Sequence, residues 1–309
     1  MRALVTGITG FVGQYLKREL KNEGVEVFGT SRKANPRKTT YQLDLLDKEK
    51  IIRLLKEIKP THIFHLAGMS NVRESWSYVS KTIEINTIGT AKLLEAIKEV
   101  DQCIRLITIG SSEEYGKVYD ITKKISEETH LNPANPYGLS KAAIGMMIKQ
   151  HHNVYGLDVI HIRPFNHIGP GQRLGFVTSD FAYQIALMNK GKIHRNEMKV
   201  GNLEAIRDFT DVRDIVKAYY MVALNGMAGE VYNVCSGEGT KIQEVLKMLL
   251  SFSDKEIIIK IDKEKMRPSE VPYFVGDYSK LKQLTNWEPT LPIQQSLHCI
   301  YNNWLNRLA

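Results

Sequence analysis

A glycine-rich turn close to the N-terminus constrains the fold of this chain more than any other feature of the sequence. Residues 3–6 form a short apolar run that is typical of a buried strand. The run is followed by Gly7-Ile8-Thr9-Gly10-Phe11-Val12-Gly13 and by an amphipathic stretch over residues 12–20. Glycines let the backbone approach a phosphate group closely, and the N-terminus of the following helix attracts its negative charge. Strand, turn and helix therefore predict a dinucleotide-binding loop, with contacts at Gly7, Gly10, Phe11, Val12 and Gly13.

Segments with strand-like and helix-like patterns alternate along the first half of the chain. The further predicted strands are residues 25–29, 40–42, 61–68, 105–109, 157–163 and 230–234, and the further predicted helices are residues 48–58, 80–99, 136–155, 181–190, 208–224, 241–252 and 293–308. This order predicts the α/β class, with a doubly wound parallel (Rossmann) sheet. The alternation breaks down after residue 165. We therefore predict a dinucleotide-binding domain over residues 1–165, joined by about 211–236, and a smaller interleaved substrate domain over residues 166–309.

The end of the second predicted strand bears on the choice of cofactor. NAD sites usually place an acidic residue there for the ribose 2′-hydroxyl, whereas an arginine accommodates a 2′-phosphate. This chain has Thr30-Ser31-Arg32-Lys33 at that place, without an acidic residue. We therefore predict NADPH over NADH, with Arg32 on the phosphate and Ser31 as a second candidate. The remaining predicted cofactor contacts are Asp44, Leu45, Leu66, Ala67, Gly68 and Asn86, together with Tyr137 and Lys141.

Tyr137 and Lys141 are one helical turn apart at the start of a predicted helix. Asn135 can cap this helix, and Pro136 suits its first turn. A cation beside the phenol is expected to lower its pKa from about 10 toward the working range, and the positive helix terminus adds to this effect. The pair is therefore a candidate site for proton transfer.

Polar residues also follow the strand predicted at residues 105–109, where ligand groups lie in sheets of this kind. Ser111 and Glu113 are therefore expected near the chemistry. His62 and His65 are predicted to be packing or polar-edge residues, because no second ligand lies at a spacing that suits a metal ion. No metal site is predicted.

The glycine turn, the Ser111 segment and Tyr137-x-x-x-Lys141 occur in the order and spacing of the extended short-chain dehydrogenase/reductase family, which this chain resembles over essentially its whole length. Residues 163–172 (RPFNHIGPGQ), 175–177 and 201–208 resemble the members that act on GDP-mannose-derived sugars. The resemblance implies NADPH-dependent reduction of the C4 ketone of GDP-4-keto-6-deoxy-D-mannose to GDP-D-rhamnose.

The same resemblance implies roles for individual residues. Tyr137 would donate a proton to the C4 oxygen, Ser111 would hydrogen-bond that oxygen, and Lys141 would bind the nicotinamide ribose and tune Tyr137. The implied substrate-binding residues are Asn166, Val177, Arg207, Arg267 and Glu270. Arginine forks suit a diphosphate, and a carboxylate can accept from two ribose hydroxyls.

Glu113 leaves a second activity open. In the related GDP-mannose 4,6-dehydratases a Glu stands two places after the catalytic Ser or Thr and removes the C5 proton, and this chain keeps that spacing. The epimerase-reductases that make GDP-fucose carry a Cys there, so Glu113 argues against that reaction. The C4 configuration, rhamno or talo, also stays open. A non-catalytic NADP sensor is an alternative of another class, which the intact Tyr-x-x-x-Lys pair opposes.

Composition excludes several other classes. The net charge is +8, but Lys and Arg are dispersed and no aromatic-basic module indicates nucleic-acid binding. The three cysteines, Cys103, Cys235 and Cys299, lie far apart, as is usual in a reducing compartment. Neither a signal peptide nor a stretch of membrane-spanning length is apparent. A cytoplasmic protein is predicted.

Assembly is predicted from the resemblance. Relatives commonly form homodimers by packing the two helices predicted at residues 80–99 and 136–155 into a four-helix bundle. The second helix has more apolar residues than one buried face requires, namely Ala142, Ala143, Ile144, Met146, Met147 and Ile148. A homodimer is therefore the expected assembly.

Overall fold

Thirteen strands and eleven α-helices are found in the residues that the computed structural model describes, which are 1–33, 39–118, 120, 123–194, 196–266 and 271–308. The strands are β1 Arg2–Thr6, β2 Glu26–Ser31, β3 Thr40–Gln42, β4 His62–His65, β5 Arg105–Ile109, β6 Val159–Pro164, β7 Asn166–Ile168, β8 Glu197–Val200, β9 Ile206–Asp211, β10 Val231–Val234, β11 Gly239–Lys241, β12 Ile258–Ile261 and β13 Tyr273–Phe274. The helices are α1 Phe11–Asn22, α2 Lys48–Ile58, α3 Val72–Ser77, α4 Val79–Ile83, α5 Gly89–Val100, α6 Pro136–Tyr155, α7 Val177–Asn189, α8 Val212–Asn225, α9 Ile242–Leu250, α10 Ser279–Thr285 and α11 Ile293–Arg307. Within these ranges, no helix combines the length and the apolar character that crossing a membrane requires.

Seven parallel strands form the main sheet, in the order β10-β6-β5-β4-β1-β2-β3. The direction of winding reverses at β1, because β2 pairs with one side of it and β4 with the other. Open α/β sheets bind ligands outside the carboxyl ends of their strands at such a reversal. The predicted Rossmann-type α/β sheet is confirmed, and its topology places the candidate site beside the end of β1.

Two apolar layers cover the faces of this sheet. Ala3 and Val5 of β1 contribute to the layer on the side of α1 and α8, whereas Leu4 contributes to the layer on the side of α2, α5 and α6. Side chains alternate between the two faces along a strand, so a strand buried on both faces needs a continuous apolar run. This requirement explains why residues 3–6 could be recognised as a strand.

Two smaller sheets lie in the second half of the chain. One has the order β11-β9-β13, with β7 also paired to β9, and the other consists of β12 and β8. A separate apolar cluster packs around α7, α9 and α11. β7 begins two residues after β6 ends, so the first small sheet adjoins the carboxyl end of β6. The division into two domains stays a prediction.

Two predicted helices differ from the structure. Residues 206–211 form β9, and only the part from Val212 onward is helical, because Asp211 caps α8 by accepting a hydrogen bond from the Arg213 N–H at 2.8 Å. The helix predicted at 80–99 is interrupted by a π-helical turn over Glu84–Ile88. The short strands β7, β8, β11, β12 and β13 and the helices α3 and α10 were not predicted, since each is too short for a periodic pattern to be recognised.

Candidate active site

The glycine turn crosses the carboxyl ends of β1 and β4. Gly7 has a φ of 71°, and a Cβ built on it would lie 3.0 Å from the backbone of Ala67. The Gly10 N–H donates to the Gly7 carbonyl at 2.9 Å, and Gly10 then precedes the first residue of α1, Phe11. Glycine has no side chain with which to cap this helix, so the N–H groups of its first turn face the position of a bound anion. The cradle therefore fits the pyrophosphate of a dinucleotide.

The residues predicted at the adenosine end of the cofactor lie beyond β2 and β3. Arg32 is exposed, and its backbone carbonyl accepts from the Gln42 side chain at 3.2 Å. The Thr9 hydroxyl lies 3.4 Å from that of Ser31 and so joins the glycine turn to the end of β2. Asp44 is also exposed and accepts from the Leu46 N–H at 3.0 Å. Thr9 was not predicted, although its place inside the glycine motif was the available signal.

Leu45 differs in placement from the other predicted cofactor contacts. Its side chain is buried and packs against Gly89, where a Cβ would lie 3.1 Å from the Leu45 Cβ. A cofactor contact of Leu45 would therefore have to use its backbone. Val12 and Leu66 are partly buried against the apolar layer on the α1 side, whereas Ala67 is packed against the layer on the other face.

Asn86 occupies the π-helical turn and is buried. Its side chain accepts from the Met69 N–H at 2.7 Å and donates to the Met69 carbonyl at 3.0 Å and the Ser140 hydroxyl at 2.9 Å. These bonds satisfy the amide, which would be costly to bury without partners. A Cβ built on Gly68 would lie 2.8 Å from Oδ1 of Asn86, so the backbone approaches this side chain closely. Through its bonds to Met69 and Ser140, Asn86 joins the segment after β4 to α6.

The start of α6 carries the predicted catalytic pair. Asn135 caps the helix by accepting from the Gly138 N–H at 2.8 Å, and Pro136 lies in the first turn, as predicted. Tyr137 is 9% exposed and Lys141 is 6% exposed. The Lys141 ammonium donates to the Ile109 carbonyl at 2.7 Å and lies 5.9 Å from the centre of the Tyr137 ring.

The expected lowering of the Tyr137 pKa is wrong for this structure. Burial raises the pKa of Tyr137 well above its usual value, the hydrogen bond with Ser111 opposes this rise, and the charges of Glu113 and Glu114 add to it. The Lys141 ammonium is directed at the carbonyl of Ile109 and not at the phenol. Burial in turn lowers the pKa of Lys141 to about 8, against the opposing charge of Glu114. Near neutral pH, Tyr137 is therefore a neutral phenol with a proton to give.

The turn after β5 brings two further predicted residues to this pair. The buried Ser111 hydroxyl accepts from the Glu113 N–H at 3.2 Å, and its interaction with Tyr137 opposes the rise in the pKa of that phenol. The half-buried Glu113 accepts from the Asn135 side chain at 2.7 Å. Asn135 therefore caps α6 and also holds Glu113 beside Tyr137. The structure thus brings Ser111, Glu113, Tyr137 and Lys141 together.

Two of the predicted substrate residues lie on neighbouring strands of the first small sheet. Asn166 begins β7 and donates to the Asp208 carbonyl at 3.3 Å. Arg207 lies on β9, which pairs with β7, and donates to the carbonyls of Ile206 and Val271 at 2.8 Å each. Val177 is the first residue of α7. Arg267 and Glu270 lie outside the described residues, and the substrate roles of all five stay predictions.

A buried charged network behind Ser111 was not predicted. Glu114 is fully buried and pairs with His161 and Arg163, whose guanidinium also donates to the Tyr115 hydroxyl at 3.1 Å. The alternating His161 and Arg163 of β6 were an available signal, because polar side chains on a strand buried on both faces need partners. Glu113 and Glu114 are adjacent in the sequence, and their spacing does not show which of the two side chains is buried.

The histidines considered as metal ligands have other partners. His65 is buried, and its two ring nitrogens lie 2.9 Å and 3.0 Å from the hydroxyls of Thr6 and Thr90. His62 lies 2.9 Å from the Thr61 hydroxyl. In the part of the chain that the structure describes, three or more His, Cys, Asp or Glu side chains do not group where they could hold a metal ion.

Comparison with known proteins adds to this geometry. The model of the family described as GDP-mannose 4,6 dehydratase matches residues 4–299. The GDP-6-deoxy-D-mannose reductase of Pseudomonas aeruginosa is 36% identical over 307 residues, covering 99% of this chain and 98% of that protein. The GDP-mannose 4,6 dehydratase of Cricetulus griseus is 28% identical over 333 residues, covering 95% and 88%. The solved structure of RMD from Pseudomonas aeruginosa complexed with NADPH has a TM-score of 0.89 at 36% identity and covers 99% of both chains.

Proposed function

The chain belongs to the GDP-mannose 4,6-dehydratase family, and we propose that within it the chain acts as an NADPH-dependent reductase of GDP-4-keto-6-deoxy-D-mannose, forming GDP-D-rhamnose. The observation that carries this proposal is the 36% identity, over nearly the full length of both chains, to a GDP-6-deoxy-D-mannose reductase, against 28% to a dehydratase. The grouping of Ser111, Tyr137 and Lys141 at one edge of the sheet supports it.

In the proposed reaction Tyr137 is the general acid. The bound NADPH supplies a hydride to C4 of the sugar. Tyr137 transfers its phenolic proton to the C4 oxygen, so the ketone gains one hydride and one proton and becomes a secondary alcohol. Ser111, which interacts with Tyr137, would donate to the same oxygen and stabilise its developing negative charge. Lys141 would hold the nicotinamide ribose and stabilise the phenolate until Tyr137 regains a proton from solvent.

Glu113 supports a second candidate activity, dehydration of GDP-mannose. Reduction at C4 needs no base at C5, yet this carboxylate is held by Asn135 beside the proton donor. Once the C4 hydroxyl had given its hydride to bound NADP+, a base in that place would remove the C5 proton and water would leave from C6. The hydride would then return to C6 and a proton to C5. We propose this reaction as a side activity at most, because the reductase has the higher identity to this chain.

A two-substrate assay tests the proposed function. The purified protein is given GDP-mannose with NADP+ and, separately, the 4-keto-6-deoxy sugar nucleotide with NADPH. We expect NADPH oxidation with the keto sugar and slow or absent conversion of GDP-mannose. The C4 configuration of the product, determined by NMR, distinguishes GDP-D-rhamnose from the talo isomer. Efficient conversion of GDP-mannose, with the keto sugar left unreduced, would replace reductase by dehydratase.

The preference for NADPH is expected to depend on Arg32. Hydrogen bonds between charged groups contribute about 1.5–3 kcal/mol, or roughly 10- to 100-fold. We therefore expect Arg32→Glu to lower kcat/KM with NADPH by about that factor or more, with little loss for NADH. The measurement is kcat/KM for both cofactors. Arg53→Glu, at an exposed arginine of α2, is the matched control. An unchanged NADPH preference in Arg32→Glu, or a lower wild-type KM for NADH, contradicts the assignment.

We also propose a homodimer built on α6 and the helical segment from α4 to α5. Apolar side chains on these helices are exposed in the single chain, among them Ile88, Leu139 and Met146. The predicted burial of α6 on two sides would then be completed by the partner, with Met146, which is 58% exposed, inside the contact.

Met146→Glu is expected to weaken this dimer by about 2 kcal/mol or more, because it buries an unpaired charge in the interface. Sedimentation velocity at decreasing concentration gives the monomer–dimer equilibrium of each variant. Met227→Glu is the control, since Met227 is 63% exposed but lies beyond the end of α8. A wild-type chain that sediments as a monomer, or equal effects of the two substitutions, speaks against this interface.

The cytoplasm remains the proposed location. The three cysteines are free thiols, and Cys103 is exposed. An exposed free thiol is more usual in a reducing compartment. Fractionation of the producing cells would test this proposal.

A further inference from the structure

The carboxylate of Glu114 lies directly behind the catalytic turn. It is fully buried and accepts three hydrogen bonds, from the Ser111 N–H at 2.9 Å, from His161 Nε2 at 2.9 Å and from Arg163 Nε at 2.7 Å. The first of these partners is the backbone of a proposed catalytic residue. The other two belong to β6, so Glu114 ties the turn after β5 to the neighbouring strand.

The space around this carboxylate is filled. A Cβ built on Gly110 would lie 2.1 Å from Glu114 Oε1 and 2.4 Å from His161 Nε2. A Cβ on Gly145, on the facing side of α6, would lie 3.1 Å from the His161 ring. His161 is itself held by the Thr108 hydroxyl at 2.8 Å. Glu114 therefore has one packed position, and the turn above it is fixed accordingly.

We propose that Glu114 is a positioning residue for the reaction: its buried carboxylate fixes the turn that carries Ser111 and Glu113, and it places a negative charge against Gly110, next to the Ile109 carbonyl that accepts from Lys141. This inference rests on the proposed reductase function, in which both effects serve proton donation by Tyr137. It assigns a task to a buried carboxylate that neither binds substrate nor transfers a proton.

The charges around Glu114 keep it ionised. His161 and Arg163 donate to it from β6, and its charge acts on Lys141 and Tyr137 of α6. Burial alone would raise the pKa of Glu114, but the charge and hydrogen bond of His161, with Arg163 and the Ser111 N–H, hold that pKa below its usual range.

Lys141 depends on this negative charge. Glu114 opposes the effect of burial, which otherwise lowers the pKa of the ammonium. Among the described residues, the charge of Lys141 also acts on His65 of β4, and together with burial it lowers the pKa of His65 to about 3. His65 is therefore neutral and offers Lys141 no compensation. Removing the charge of Glu114 should shift the Lys141 titration to lower pH.

Three variants distinguish the effect of the position of the Glu114 carboxylate from the effect of its charge. Glu114→Gln removes the charge, Glu114→Asp keeps it but withdraws the carboxylate from the Ser111 N–H, and Glu127→Gln is the control. Glu127 is half-buried in the same region and accepts from the Asn233 N–H at 2.7 Å, away from Ser111. The measurements are kcat, the Kd for NADPH, and the pH at which Lys141 titrates. That pH is followed by NMR of 13Cε-labelled lysine, with Lys141→Met to assign the signal.

The inference predicts a different result for each variant. In Glu114→Gln, kcat should fall at least about 10-fold and Lys141 should titrate about one unit or more lower. In Glu114→Asp, kcat should fall while the titration stays near that of wild type. Glu127→Gln should change neither, and the Kd for NADPH should stay within about threefold throughout.

An unmoved Lys141 titration in Glu114→Gln would overturn the electrostatic part, and wild-type kcat in Glu114→Asp would overturn the positioning part. If Glu114→Gln fails to fold because Arg163 is left unpaired, Glu114→Asp still tests the positioning part. The NMR titration needs no substrate. A wild-type protein that leaves the keto sugar unreduced therefore counts against the proposed function and not against the coupling of Glu114 to Lys141.

Discussion

Tyr137→Phe is expected to lower kcat for reduction of the keto sugar by about 10²–10⁴-fold, which is the usual contribution of general acid catalysis. The substitution removes one oxygen and leaves the ring in its buried place at the start of α6. Without the phenol, the C4 oxygen has no positioned proton donor when hydride arrives. Ser111 retains its own hydroxyl and should preserve part of the stabilisation of that oxygen.

The measurements for Tyr137→Phe are kcat and the Kd for NADPH, the latter from quenching or enhancement of the cofactor's fluorescence. The Kd should remain close to that of wild type, because the glycine turn and Arg32 lie elsewhere. Tyr219→Phe is the matched control. It removes another buried phenol, one whose oxygen has no hydrogen-bond partner among the residues that the structure describes, and should leave kcat near wild type. Near-normal turnover of Tyr137→Phe would exclude Tyr137 as the acid.

Local sequence signals were sufficient for the elements that build the cofactor side of the protein. The helix predicted at residues 48–58 agrees with α2, because its apolar side chains recur at helical spacing and Asp47 caps it by accepting from the Lys50 N–H at 3.0 Å. The strand predicted at 105–109 agrees with β5, since an uninterrupted apolar run suits a strand buried on both faces. The grouping of Ser111 with Tyr137 followed from placing both at the same sheet edge.

Features that depend on distant parts of the chain were not accessible in this way. Residues 206–211 form a strand because β7 and β11 pair with them, and these partners lie about 30 to 40 residues away on either side. The pKa of Tyr137 likewise depends on how deeply the ring is buried, which helical spacing does not report. Helical spacing predicted that Lys141 lies on the same face of α6 as Tyr137. The hydrogen bond from its ammonium to the Ile109 carbonyl depends on tertiary structure.

Glu113 shows the same limit from the functional side. Its spacing from Ser111 resembles that of the dehydratase base, and its carboxylate accepts from Asn135, the residue that caps α6. The spacing and position of Glu113 therefore do not show whether the protein catalyses reduction or dehydration. The choice depends on whether the bound sugar presents a C4 ketone or a C4 hydroxyl, and on which cofactor form is present. The two-substrate assay sets both conditions directly.

Lys141→Met is expected to lower activity and to raise stability. In the folded wild-type protein the pKa of Lys141 is about 8, against an ordinary lysine value of 10.5. Below pH 8 the folded and unfolded chains both carry the charge, and folding has to bury it. Between pH 8 and about 10.5 the folded chain releases this proton while the unfolded chain keeps it, so the penalty shrinks as the pH rises. This penalty amounts to at most about 3 kcal/mol at neutral pH, and methionine removes it.

Activity should change in the opposite direction. The proposed role of Lys141 requires the ammonium form, so wild-type kcat/KM should fall as the pH rises through about 8. Lys141→Met should lose about 10²-fold or more in kcat, and its kcat/KM should not fall as the pH rises through this range. Unfolding in urea at pH 7 and pH 9.5 measures stability, and a pH–rate profile measures activity.

Lys149→Met, at an exposed lysine of the same helix, is the control and should alter neither quantity by more than a small factor. A Lys141→Met protein that is less stable than wild type at pH 7 would mean that the hydrogen bond to the Ile109 carbonyl outweighs the cost of burying the charge. If kcat/KM of Lys141→Met still falls as the pH rises through about 8, a group other than Lys141 is responsible for that fall. Burying the Lys141 ammonium destabilises the fold, so its removal should raise stability. The same charge serves the proposed reaction, so its removal should lower activity.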